Sequence, residues 1–135
     1  MDSKKIRINS GIVIEVNDNG ESITMNADDQ MFIDKFMRLI EKLEVLTKQL
    51  EGMNEKGERE QLDTLVGGTR EIMEDMDRMF GENTCKKVFG DIVPSPYLIG
   101  EFFDQLIPIA ETYMDERQKE IAKRYSRKRK GGRRG

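Results

Sequence analysis

One cysteine, Cys85, and no histidine are present among 135 residues, and this limits the available chemistry at once. A single thiol cannot form a disulfide within the chain, and a Cys/His zinc site cannot be assembled. Catalytic triads that need a histidine base are excluded as well. Cys85 follows a helix-capping pattern, and both a helix N-terminus and the neighbouring Lys86 and Lys87 favour a thiolate. With no base and no second cysteine it lacks a catalytic or redox partner, so it reads as a structural residue. Two acidic patterns also fall short. Glu15-x-Asn17-x-Asn19-Gly20 brushes the EF-hand loop, but its twelfth position is Asn26 where a bidentate Glu belongs, and strand-like sequence flanks it. Asp28 and Asp29 are adjacent, about 100° apart on a helix, and do not chelate together; first-turn electrostatics accounts for them. The sequence therefore predicts no catalytic set, cofactor site or metal site, and function by binding.

Two surfaces remain as candidates. The methionines, among them Met31, Met37, Met53, Met73, Met76, Met79 and Met114, are numerous for the length and suit either core filling or an adaptable apolar surface. From Lys123 onward there are eight Lys/Arg and no acid, which leaves 15 Lys/Arg against 26 Asp/Glu in residues 1–122, a net of −11. The basic end, with Arg127, Lys128, Arg129, Lys130, Arg133 and Arg134, reads as a phosphate contact, a contact for an acidic protein, or a solvated terminus. Stacking aromatics are sparse there, Tyr125 being the nearest, and the acidic body repels a duplex.

The elements that position these groups follow from periodicity. Residues 4–25 alternate as three strands of an antiparallel meander. Ile6 and Ile8 lie on the first strand, Ile12, Ile14 and Val16 on the second, and Ile23 and Met25 on the third. Ser10-Gly11 and Asn17-Asp18-Asn19-Gly20 are the turns. Asn26 is placed to cap a helix over about 27–52. Its apolar series Phe32, Phe36, Leu39, Leu43, Leu46, Leu50 and Met53 forms one stripe about 33 Å long, widened by Ile33 and Ile40, and self-association through this helix is open. A second helix over about 58–80 is interrupted by Gly67-Gly68, where a kink or a close helix crossing is expected. Gly81 stops it.

Thr84 is placed to cap a short helix over 84–89 that ends at Gly90. Ser95 and Pro96 open a last helix over 96–125, kinked by Pro108. The reading is an α+β chain: one domain over 1–125, a small N-terminal antiparallel meander packed on a mainly helical body, with a disordered basic tail at 126–135. Charged residues are 36% of the chain and aromatics 7%, which implies a thin core under a well-solvated surface. The N-terminus has no apolar core behind its charges, and no apolar run approaches the ~20 residues of a membrane span, so a cytosolic protein without membrane contact is expected.

The run GENTCKKVFGD at 81–91, followed by FFDQLIP at 102–108, resembles the C-terminal half of small tail assembly chaperones from long-tailed bacteriophages and prophages of Gram-positive hosts. The resemblance is clearest over 80–125 and extends loosely to a β-hairpin followed by a long helix. It implies a protein of the host cytoplasm that binds the tape measure protein, keeps it soluble, recruits tail tube subunits, and is absent from the finished particle. By analogy it implies contacts through Phe80, Val88, Phe89, Phe102, Phe103 and Leu106; any of these reads as core instead, and for Phe102 and Phe103 core is the preferred reading. Two other readings stand beside it: a small nucleic-acid-associated regulator anchored by its basic tail, and a structural head–tail or tail-tube subunit retained in the particle.

Overall fold

The computed structural model describes residues 3–53 and 57–133, with side chains as far as Ser126. The element order is β1 (Ile12–Glu15), β2 (Ser22–Met25), α1 (Gln30–Glu51), α2 (Glu58–Phe80), α3 (Thr84–Phe89) and α4 (Pro96–Arg133). The α+β reading holds: a small antiparallel sheet precedes a mainly helical body. Contact density divides the chain into two compact units, Met1–Ile99 and Gly100–Gly135.

In the first unit the sheet is a two-stranded hairpin. The pairs Ile12–Met25 and Ile14–Ile23 lie on one face, and Val13–Thr24 and Glu15–Ser22 on the other. Burial follows that alternation, with Ile23 and Met25 buried and Val13 exposed. The Asn17–Gly20 turn forms as expected. Gly20 adopts a positive φ of 78° and bonds back to the Asn17 carbonyl, while the Asn17 Oδ1 accepts the Asn19 and Glu21 N–H groups.

The first strand of the expected meander is not formed, and Ile6 and Ile8 are 89% and 85% exposed. Register gives the reason. A two-residue turn at Ser10-Gly11 sets Ile8 opposite Val13 and Ile6 opposite Glu15, on the outer face, so pairing there buries neither isoleucine.

α1 begins later than the expected residue 27. Asp29 is its N-cap, with Oδ1 accepting the Met31 N–H at 2.9 Å. Asn26 instead forms a preceding turn, in which its carbonyl accepts the Asp29 N–H. Asp29 therefore acts one step outside the first helical turn, where a short acceptor side chain satisfies an otherwise orphaned donor. Gly52 ends the helix, as its sequence position predicts.

The α1 stripe buries Phe32, Phe36, Leu39 and Leu46. α2 supplies Thr69, Ile72, Met76 and Phe80 to the same core. The second helix runs unbroken through Gly67-Gly68 because Gly68 is a crossing point. A Cβ built there would lie 2.6 Å from Leu46 Cδ1, whereas at Gly67 nothing lies within 4 Å. Gly67→Ala is therefore expected to gain the ordinary helix preference of up to ~1 kcal/mol. Gly68→Ala forfeits that gain to overpacking, leaving the two variants roughly 1–2 kcal/mol apart in urea unfolding.

α4 carries buried Phe103, Leu106 and Ala110, and continues through Pro108. Ser95 precedes it, and the Leu98 N–H reaches both its carbonyl at 3.1 Å and its hydroxyl at 3.4 Å. Further along, Arg117 bonds the Tyr113 hydroxyl at 2.7 Å with its guanidinium 5.0 Å from the ring centroid. As a backbone element α4 reaches Arg133, past the boundary expected at Tyr125. The side chains of 127–135 lie outside the described residues, and the expectation of a disordered basic tail falls there. No helix among the described residues is long and apolar enough to cross a membrane.

Candidate partner-binding surface

The 81–91 run is built as a fixed corner. Gly81 closes α2 with φ 120°, and Asn83 sits in the left-handed region at φ 63°, a conformation that asparagine tolerates better than most residues. Thr84 is the first residue of α3 and not its cap. Its hydroxyl donates to the Gly81 carbonyl at 2.7 Å. The capping acceptor comes from α2, where the Asp77 carboxylate accepts the Cys85 N–H at 2.9 Å. The last turn of one helix thus satisfies the first turn of the next, an arrangement that sequence spacing alone does not reveal.

Two bonds then tie α3 to the hairpin. The Asn17 Nδ2 donates to the Lys87 carbonyl at 3.1 Å, and the Lys87 ammonium donates to the Ser22 carbonyl at 3.1 Å. Lys87, which could have served as a free cation beside the thiol, is committed to the fold.

Cys85 is buried beneath this corner, and its Sγ–H faces the Met73 carbonyl at 3.5 Å. Burial foremost, then the Asp77 charge and hydrogen bond, push the thiol from 9.0 up to about 12. A helix N-terminus and two lysines would push it the other way, so desolvation and Asp77 win. At pH 9 the folded thiolate fraction is then roughly a thousandth, against about half in the unfolded chain. Iodoacetamide labelling should be correspondingly suppressed until the protein is denatured. Because the folded pKa is the higher one, the stability contributed by the thiol is complete below pH ~9 and is lost as pH rises from there towards 12. In urea titrations, the stability of the native protein relative to Cys85→Ala should fall across that window.

The six residues expected to touch a partner divide evenly. Phe80 is core, 4% exposed, with its ring edge-on to Phe32 at 5.4 Å and to Phe36 at 6.3 Å. Phe103 and Leu106 are also buried. An apolar side chain near a family-like motif is most often there to hold the motif in place, and these three are unavailable to a partner in this state. Val88, Phe89 and Phe102 are half-buried. The side chains of Arg127, Lys128, Arg129, Lys130, Arg133 and Arg134 lie outside the described residues.

The surface missed in the sequence lies just beyond α3. Gly90 ends that helix with φ 81°, and Pro94 is fully buried as an anchor. Between and beside them, Ile92, Val93 and Tyr97 are exposed, Tyr97 to 73%. A signal was present: apolar residues confined between a glycine stop and a buried-type proline have no helix or strand to turn them inward. Large exposed apolar side chains in one short, braced segment mark an interaction surface more than a lone exposed leucine does.

An open groove of about 680 Å³ between α1 and α2 is lined by charged side chains together with Phe32, Leu39 and Met79. Lys42 and Arg78 both meet Asp75, at 2.9 and 3.7 Å, and Arg38 meets Asp34 at 2.9 Å. These are local ion pairs around open space, with no nucleophile–base arrangement. Among the described residues, no group of three His, Cys, Asp or Glu side chains is placed to hold a metal ion.

The fold thus defines a small α+β protein in which a hairpin and three helices precede an exposed apolar segment and a long fourth helix. The chain belongs to DUF6673, a family of unknown function whose pattern matches residues 19–135. No curated protein and no solved structure matches it.

Proposed function

We propose that this protein is a tail assembly chaperone of a long-tailed bacteriophage or prophage, which binds the tape measure protein and tail tube subunits in the host cytoplasm and leaves before the particle is complete. In this reading it is a binding protein, needs no cofactor, and works by covering amphipathic stripes on its client. The observation that carries the proposal is the 81–91 run, whose resemblance to such chaperones coincides with a hydrogen-bonded corner followed directly by the exposed Ile92, Val93 and Tyr97. Masking an exposed helical stripe removes the drive to aggregate, and it requires an apolar surface that the chaperone itself does not bury.

The test is co-expression of the chain with the tape measure protein of the same genome, followed by affinity capture and measurement of soluble client. Capture is expected from full-length protein and from a version ending at Ala122. The triple variant Ile92→Asp/Val93→Asp/Tyr97→Ala should retain its circular dichroism, since exposed substitutions shift stability little. Its client capture should fall at least tenfold. Unchanged capture by the triple variant moves the contact elsewhere on the chain. Recovery of the protein in purified particles favours a structural subunit. Recovery of nucleic acid alone, lost on truncation at Ala122 and at moderate salt, favours the regulator.

A further inference from the structure

Among the described residues, the two-stranded sheet leaves one edge of β1 without a strand, and the residues just before it form a strand-patterned segment without a sheet. Lys4–Asn9 reads Lys-Lys-Ile-Arg-Ile-Asn, with the two isoleucines on one face and the basic residues largely on the other. Ile6 and Ile8 are nearly fully exposed, while Ile12 and Ile14 of β1 are only half-buried, unlike their partners Ile23 and Met25 on β2. The apolar face of the sheet is thus covered on the β2 side and unfinished on the β1 side.

We infer that this segment is donated to the β1 edge of a second copy of the chain, in a reciprocal two-fold exchange. One antiparallel register suits residues 5–8, with Lys4 falling beyond the end of β1. Ile8 opposite Ile12 and Ile6 opposite Ile14 extend the apolar face. Arg7 then faces Val13, and Lys5 faces Glu15, on the outer face. The charges agree over a longer range: residues 3–9 carry Lys4, Lys5 and Arg7 with no acid, and the receiving hairpin carries Glu15, Asp18 and Glu21.

In its own chain the segment stays off the edge, and a tight turn at Ser10-Gly11 would set its isoleucines on the wrong face. A segment from another copy is free of that turn and can choose the register. Exchange pairs both open edges at once and closes after two copies, which is how an edge strand is disposed of without open-ended association.

The experiment mixes two full-length single variants of different tag length, Lys5→Cys and Glu15→Cys, with a short bis-maleimide. Cys85 is buried and contributes little reaction in the folded protein. A covalent heterodimer is expected at least tenfold above the yield from either variant alone. Adding Ile6→Lys and Ile8→Lys to the Lys5→Cys variant should abolish it with unchanged circular dichroism. Sedimentation of the native chain at tens of micromolar should show a dimer that the Ile6→Lys/Ile8→Lys variant lacks. The inference is overturned if the mixture cross-links no better than the single variants, or if the isoleucine substitutions leave the yield intact. It is also overturned if a Lys5→Cys/Glu15→Cys chain closes on itself as a monomer.

Discussion

Replacing Phe80 with alanine is expected to remove about 3–5 kcal/mol of folding stability, the usual range for emptying an aromatic site in a core. The number matters because a domain of this kind holds only ~5–15 kcal/mol in total. Phe80 is the point where α2 meets the Phe32–Phe36 pair of α1, and it meets each of these two rings edge-to-face. Deleting its ring therefore empties volume and removes two favourable aromatic geometries together. Urea unfolding measures the loss directly. Phe80→Leu should recover most of it, since apolar volume is largely kept. The same substitution also distinguishes core from contact: a folded Phe80→Leu variant should capture a client as well as the native chain does. Loss of capture without loss of stability would place the residue on the partner surface after all.

The second large effect is expected at Asn17, although it lies in a surface turn. Its side chain accepts two backbone N–H groups inside the turn and donates outward to the Lys87 carbonyl and to Glu21 Oε1. With each bond worth about 0.5–1.5 kcal/mol net, and the exposed ones at the low end, Asn17→Ala should cost about 2–3 kcal/mol. Asn17→Asp keeps the accepting role and loses the donating one, so it should fall between alanine and the native residue. Amide exchange locates the damage. Protection should fall first in the hairpin and α3, and least in the paired stretches of α1 and α2. Equal loss everywhere would mean that the turn is no separate unit.

Much of this fold was legible in the sequence because it is written in local rules. The Phe32–Leu46 stripe, the Gly52, Gly81 and Gly90 stops, and the Asn17–Gly20 turn each follow from periodicity or from a conformational preference of the residue itself. The first strand failed because alternation specifies a strand without specifying a partner, and the turn that joins Ile8 to Ile12 decides the face. The caps expected at Asn26 and Thr84 fail for a different reason. Several short polar residues near a helix start compete for the same donors, and the acceptor for Cys85 comes from another helix.

The candidate surface was the least legible. Phe80, Phe103 and Leu106 have side chains whose chemistry serves a core and a surface equally well. Ile92 and Val93 belong to no periodic element, so no spacing rule marks them.

The two bonds between the hairpin and Lys87 also fix an order of events during synthesis. A hairpin of two four-residue strands is marginal by itself, and its ties to α3 span 70 and 65 positions of chain. At ~5–20 residues per second the ribosome needs roughly 4–14 s to make that distance. Until then the hairpin lacks both ties, and it is latched only when the corner that receives it has been made.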